Sequence, residues 1–376
     1  MSRYTFMARP RSYRQFILKI NNLATFCPVI LVKLSRHWQN NEFGGELWGE
    51  ITPAPQKPRL LEQVKIACRQ KHYSRTTEKS YVFWIRQYIL FHNKRHPNEM
   101  GQQEIEAYLN HMAARRNVSA STQSSALNAL AFLYRTVLQI EMPELDNLRR
   151  IKRYQTIPVV MSIQEVKATF AHMHGTTRLM AELIYGTGLR INECMTLRLK
   201  DIDFDLRSIT VRAAKGNKDR VTILPACLVP ALRQHLIKVA QMHKSDVLKG
   251  NGYAPMPNAL YKKYPSASQS LSWQYVFPSS LLRPWHQPGK MVRWHASPST
   301  LRRAFKKAVK QANILKHVGP HTLRHSFASH LLAAGTDIRT IQTLLGHKNI
   351  ETTMIYTHIS PDYKNVSSPL DQMRHK

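Results

Sequence analysis

Apolar residues recur at three- and four-residue intervals along most of the chain, the spacing of helices with one buried face. Between residues 57 and 142 this predicts four helices. Leu60, Leu61 and Val64 begin the first. Ser74 precedes a second, which carries Tyr81, Trp84, Ile85, Tyr88 and Ile89 on one face. A third has Ile105, Tyr108, Leu109 and Met112, and a fourth follows Ser119 with Leu127, Leu130, Tyr134 and Leu138. Serines at those two starts suit helix N-caps. The aromatic stripe of the second helix could stack on bases, but its spacing is what core packing requires, and it is read as core. Further on, Ser162-Ile-Gln-Glu165 is a capping box that opens a second helical region. One β signal interrupts it: the β-branched runs 208–212 and 221–224 flank a polar turn at 213–220. Residues 249–295 lose the helical period, hold Tyr, Trp, Pro and Ser, and read as an insertion with a surface role.

The pattern divides the chain into an extension and linker (1–56), a small helical domain (57–142), a basic linker (143–161), a larger domain (162–370) containing the insertion at about 249–295, and a tail (371–376). The fold class expected is mainly α with a small β-sheet. In the extension, residues 1–41 hold seven Lys or Arg and no acidic residue. Its apolar run, 23–32, is interrupted by Pro28 and is shorter than the ~20 residues a membrane span needs. Lys33-Leu-Ser-Arg-His37 follows it, which is not a small-residue cleavage site. The extension is read as poorly ordered, without a role in chemistry.

Charge narrows the partner. The 376 residues include 55 Lys+Arg against 23 Asp+Glu, a formal net charge of +32, while the 43% hydrophobic content is ordinary for a globular protein. Such a chain repels itself unless a polyanion is near, so nucleic acid is the leading partner and an acidic membrane surface the second. Few carboxylates argue against a two-metal nuclease core. The four cysteines, Cys27, Cys68, Cys194 and Cys227, form no C-x-x-C pair, which fits a reducing compartment and argues against a cysteine zinc site.

Four local patterns carry candidate chemistry. In Gly186-Thr-Gly-Leu-Arg190-Ile-Asn-Glu193, two glycines turn the chain and Arg190 opens a helix, where a guanidinium adds a bidentate fork to an anion-favouring terminus. The plainer reading pairs Arg190 with Glu193. Lys215, at the hairpin turn, can reach a cleft and protonate a leaving oxygen, although most such lysines are merely solvated. His321 and Arg324 stand at i, i+3 after Pro320, on one helix face. A zinc-protease reading of His321 and His325 fails, because Thr322 occupies the general-base position. Gly346 ends a helix with His347 just beyond it, and Tyr356 follows nine residues later, near the end of a short helix. Asp201-Ile-Asp-Phe-Asp205 begins like a calcium loop but lacks its glycine and final glutamate.

Taken in order, Arg190, Lys215, His321, Arg324, His347 and Tyr356 resemble the active site of tyrosine site-specific recombinases. The surrounding segments GTGLRINE, KGNKDR, HTLRHSFASHLL, LLGH and TTMIYTH resemble the family too. The likeness spans residues 57 to about 370 and implies a SAM-like core-binding domain followed by an α+β catalytic domain. Within the family the chain looks most like integron integrases, through KPRLLEQVK, RLMAELIYGTGLR, SWQYVFPS and the insertion. In those relatives the insertion helps hold extrahelical bases of a folded single-stranded site. Trp273 matches an aromatic of that region. Trp294 and His295 match a position that is often His-His, so Trp294 is a departure. Residues 1–50 match nothing in the family and are either a native extension or an upstream frame read through.

The resemblance implies a chemistry. Tyr356 attacks a DNA phosphodiester, leaving a 3′-phosphotyrosyl bond and a free 5′-hydroxyl. Bond energy stays in the covalent link, so neither metal, ATP nor another cofactor is expected. Arg190 and Arg324 hold the non-bridging oxygens, His347 adds a hydrogen bond, Lys215 protonates the leaving oxygen, and His321 exchanges a proton with Tyr356. Two nearby guanidiniums are expected to ease phenolate formation. Arg149, Arg150, Lys152 and Arg153 are expected to lie on a phosphate backbone. Partners are duplex and folded single-stranded DNA, with four protomers in the synaptic complex, in the bacterial cytoplasm at the nucleoid. Alternatives are a recombinase of another branch acting on duplex sites, a type IB topoisomerase, or a catalytically silent DNA-binding relative.

Overall fold

Four helices, α1 (Leu60–Gln70), α2 (Arg75–Phe91), α3 (Gln102–Ala114) and α4 (Ala120–Phe132), build the first unit. Ser74 and Ser119 cap α2 and α4, each accepting from the backbone N–H three residues on, at 3.1 and 3.3 Å. Ile85, Tyr88, Ile105, Leu109, Met112 and Leu130 are sealed in the core, and Tyr81, Trp84 and Ile89 pack against it. The aromatic stripe is therefore packing surface. Tyr88 and Tyr134 pair their hydroxyls at 2.9 Å, and Tyr134 Oη also lies 3.1 Å from the Met100 carbonyl, so two buried phenols are satisfied. Met142, Leu145 and Leu148 pack on the same core, so the stretch read as a linker from 143 begins as part of this unit.

The computed structural model describes residues 58–114, 118–148, 151, 158–212, 219–256, 258–285 and 290–357. They fall into two compact units that divide between residues 153 and 154. No helix among them is long and apolar enough to cross a membrane.

The second unit opens with α5 (Ile163–Ala171), whose capping box is complete: Glu165 N–H donates to Ser162 Oγ at 3.1 Å and Ser162 N–H to Glu165 Oε2 at 2.6 Å. Then come α6 (Gly175–Thr187), α7 (Ile191–Thr196) and an antiparallel sheet of β1 (Ile202–Asp203), β2 (Ser208–Val211) and β3 (Arg220–Ile223). The two expected strands are β2 and β3, and β1 is an addition. The segment that begins like a calcium loop is the β1–β2 turn, with Asp203 Oδ1 accepting from the N–H groups of Asp205 and Leu206. The long helix α8 (Val229–Leu248) leads into the insertion with α9 (Asn258–Lys263), and α10 (Pro298–Gln311), α11 (Pro320–Ala333), α12 (Ile338–Leu345) and α13 (Glu351–Met354) follow.

The insertion is more ordered than its composition implies. It holds a β-ribbon, β4 (Pro278–Pro284) paired with β5 (Met291–His295), and sends Val276 and Phe277 fully into the domain core. The reading of a purely surface segment is corrected accordingly. A bulge between Pro278 and Leu282 shifts the register. Arg293 Nη1 donates to the carbonyls of Ser279 and Ser280 there, at 2.7 and 3.0 Å. The same guanidinium grips Asp246 of α8 through two bonds, at 2.5 and 2.7 Å, which staples the ribbon to the domain. Periodicity does not reveal such a ribbon, because one arginine and a bulge organise it rather than alternation.

Of the two glycines before Arg190, Gly186 is helical, and Gly188 makes the turn at φ 69°. A Cβ on Gly188 would stand 2.6 Å from the Phe327 ring and 3.0 Å from Leu345 Cδ2. Gly188→Ala therefore meets both a left-handed backbone and a packed wall. It is expected to cost about 2–4 kcal/mol, roughly 5–10 °C in Tm. A melting curve within a degree of wild type would show that the α6–α11 contact yields freely.

Candidate active site

Glu193 on α7 gathers three arginines, one from the start of its own helix and two from distant parts of the chain. Arg190, at the N-cap of α7, donates its backbone N–H to Oε2 at 2.8 Å and Nη1 to Oε1 at 2.7 Å. Arg220, the first residue of β3, grips both oxygens at 2.9 and 2.6 Å and donates Nε to the Leu344 carbonyl at 3.0 Å. Arg324 on α11 stands 3.8 Å from Oε2 and donates to the carbonyls of Gly188 and Leu345, at 2.6 and 2.7 Å. Burial alone would raise the Glu193 pKa. The hydrogen bonds from Arg220 and Arg190 outweigh it and hold the carboxyl at about 2. One anion thus organises three cations and leaves net positive charge to meet an external anion. Arg324 is only 1% exposed. Burial, then Arg190, lowers its pKa to about 9, and it stays charged at neutral pH.

Tyr356 follows α13 and is 1% exposed, in a small core with Phe327, Ala328, Ile341 and Leu345. Its Oη lies 2.8 Å from His325 Nδ1. The His347 ring lies nearly parallel to the Tyr356 ring, 14° between planes and 6.4 Å between centroids, with Nδ1 2.9 Å from Thr353 Oγ1. His321, one turn before His325, is exposed, with ring centroids 4.7 Å apart. Burial followed by the charges of Arg324 and Arg190 lowers His347 to about 3. Burial, His321 and Arg324 lower His325 to about 4. Both imidazoles are neutral at pH 7. For Tyr356, burial raises the pKa, and the pull of Arg324 and Arg190 only reduces that rise. The two guanidiniums do ease ionisation, as expected, but desolvation of the anion exceeds their attraction and the net shift is upward.

Arg190, Arg324, His347 and Tyr356 are thus brought together from four separate elements, with His321 exposed beside them. The proton contact to Tyr356 comes from His325, not from His321. Lys215 lies outside the described residues, although β2 and β3 on either side of its turn are in place. Arg149, Arg150, Lys152 and Arg153 also lie outside them. Trp273 and Trp294 sit in the insertion. Lys200 Nζ stands 3.0 Å from the Trp273 ring centroid, and Arg198 lies 4.6 Å over Tyr275 and donates to the Trp273 carbonyl at 2.5 Å. A cavity of about 430 Å3 has Glu193, Thr196, Arg198, Asp219, Trp273 and Tyr275 among its lining residues. Trp294 neighbours Trp285 and His295, with centroids 6.3 and 5.7 Å away. His295 Nδ1 is engaged by the Ala296 carbonyl at 2.8 Å.

Sequence reasoning missed three participants. Glu193 is visible at i+3 from Arg190 but reads as a simple ion pair. His325 is visible beside Arg324 but its i+4 spacing from His321 suggests only a zinc motif. Arg220 ends a turn, and nothing local says that its partner is 27 residues away.

A small helical module ahead of a domain with this arginine–histidine–tyrosine cluster is the arrangement of the tyrosine recombinase class. Residues 160–362 match the phage integrase family, and residues 60–144 match the phage integrase N-terminal SAM-like domain. The chain belongs to that family, whose members cleave and rejoin DNA strands. It is 44% identical to an integrase/recombinase of Escherichia coli over 322 residues, 85% of this chain and 96% of the relative. It is 25% identical to the tyrosine recombinase XerC of Lacticaseibacillus casei, over 77% of this chain and 90% of that protein. The fold is similar to that of the XerH site-specific recombinase bound to a palindromic difH substrate, with a TM-score of 0.57 and 18% identity over 85% of this chain and 86% of the other.

Proposed function

We propose that this enzyme integrates and excises gene cassettes at integron recombination sites, with Tyr356 as nucleophile. The observation that carries the chemistry is the phenol of Tyr356 inside a cluster with Arg190, Arg324 and His347. Arg190 and Arg324 hold the non-bridging oxygens of the scissile phosphate, and neutral His347, its Nδ1 accepting from the Thr353 hydroxyl, donates its single N–H at Nε2 to it. Lys215 protonates the leaving 5′-oxygen, and His321 is exposed beside the cluster. The product is a 3′-phosphotyrosyl bond, resolved when a second 5′-hydroxyl attacks. Because that bond conserves the energy of the one cleaved, exchange needs neither ATP nor metal. Four protomers act on two sites. The basic run 149–153 binds the phosphate backbone, so affinity falls steeply with salt.

The integron reading rests on the insertion. Trp273, Tyr275 and Glu193 line one cavity, so a base held there lies near the arginine cluster. Stacking on an aromatic is worth about 1–3 kcal/mol per base. The test uses a nicked, folded single-stranded hairpin site and a nicked duplex site, and scores SDS-resistant adducts. Wild type is expected to trap on both. Trp273→Ala with Trp294→Ala is expected to lose tenfold or more on the hairpin alone. Equal losses on both substrates, or trapping on the duplex only, would move the protein to a duplex-acting branch.

A further inference from the structure

We infer that His325 is the proton acceptor for Tyr356 in strand cleavage, taking the phenolic proton as Oη bonds to phosphorus. This rests on Tyr356 being the nucleophile, as proposed above. The geometry singles His325 out from its neighbours. Its Nδ1 is 2.8 Å from Oη. His347 is stacked against the phenol ring, and its Nδ1 is engaged by Thr353. His321 is exposed and contacts His325 ring to ring. A protonated phenol donates to an unprotonated nitrogen, so Nδ1 is the acceptor and Nε2 carries the proton. His325 directly follows Arg324 on α11, so one rigid helix carries both the phosphate clamp and the base.

The groups facing His325 are His321 and Arg324 on its own helix, His347 beyond α12, and Tyr356 after α13. Arg190, Arg220 and Glu193 lie around Arg324. All the charged groups but Glu193 are cationic, so a lasting imidazolium is disfavoured in the free chain. A bound phosphate supplies the negative charge that stabilises it. In the step, the Tyr356 O–H bond breaks and its proton goes to His325 Nδ1. The P–Oη bond forms as the P–O5′ bond breaks, and the 5′-oxygen takes its proton from Lys215. Religation returns the His325 proton to Tyr356.

The test isolates the nucleophile side. In a nicked duplex whose scissile bridging 5′-oxygen is replaced by sulfur, the thiolate leaves without a proton, so Lys215 no longer limits the rate. His325→Asn keeps an acceptor near Nδ1 but cannot hold a proton. On the sulfur substrate it is expected to form adduct about a hundredfold more slowly at pH 7. Its rate should climb tenfold per unit between pH 6 and pH 9, while wild type stays flat. A parallel loss at every pH would mean that His325 only positions the phenol, and an unchanged rate would remove it from the step. Both overturn the inference while leaving Tyr356 as nucleophile. If wild type forms no adduct on either substrate, or Tyr356→Phe still forms one, the nucleophile assignment fails with it.

Discussion

Tyr356→Phe is expected to abolish the SDS-resistant, protease-sensitive adduct on every DNA substrate while leaving the fold intact. The ring belongs to the core of Phe327, Ala328, Ile341 and Leu345, and phenylalanine fills the same volume. What is lost is Oη and its hydrogen bond, which leaves His325 Nδ1 unmatched at a cost of about 1–2 kcal/mol. Adduct on denaturing gels and a thermal melt separate the two effects. An adduct that survives would require another nucleophile. A protein that no longer melts cooperatively would make the loss structural. The environment of Tyr356 adds a spectroscopic expectation. Because burial raises its pKa from the ordinary phenol value, a difference titration of the DNA-free protein against Tyr356→Phe should show Tyr356 ionising at higher pH than an exposed tyrosine.

The second large effect is expected from Glu193→Gln. The carboxylate is 10% exposed at its side chain, and Arg220, its bidentate partner, is 7% exposed. Removing one partner of a buried pair leaves its charge uncompensated, at about 3–5 kcal/mol. Here three guanidiniums lose their common anion. Arg324 keeps its bonds to the Gly188 and Leu345 carbonyls, so α11 stays anchored, whereas Arg190 and Arg220 repel with little between them. Adduct formation should fall by roughly a hundredfold or more. Stability should also change its response to acid. The folded carboxyl sits at about 2, below its unfolded value, so its contribution is complete above the ordinary carboxylate range and is lost as pH falls towards 2. That contribution is on the order of 3 kcal/mol. Melts between pH 2 and pH 7 should therefore show a shallower acid limb for the variant than for wild type. Superimposable curves and unchanged cleavage would show that Glu193 is a bystander.

Several helices of both units were legible because they mark their own boundaries. Ser74, Ser119 and Ser162 supply caps, Gly346 a left-handed stop, and the 3.6-residue period marks the faces that pack. The clustered arginines Arg190 and Arg324 and the tyrosine were legible through their neighbours, GTGLR, HTLR and TTMIY. The ribbon of the insertion was not, since Arg293 and Asp246 are 47 residues apart and neither has a local signature. What the sequence determined by itself was a basic, two-domain helical protein with a recombinase set of chemical groups in order. Which histidine meets the phenol, which carboxylate gathers the arginines and whether the phenol ionises were decided by tertiary structure alone. Each depends on distances across separate elements and on the burial those elements impose, and neither is written in the order of residues along the chain.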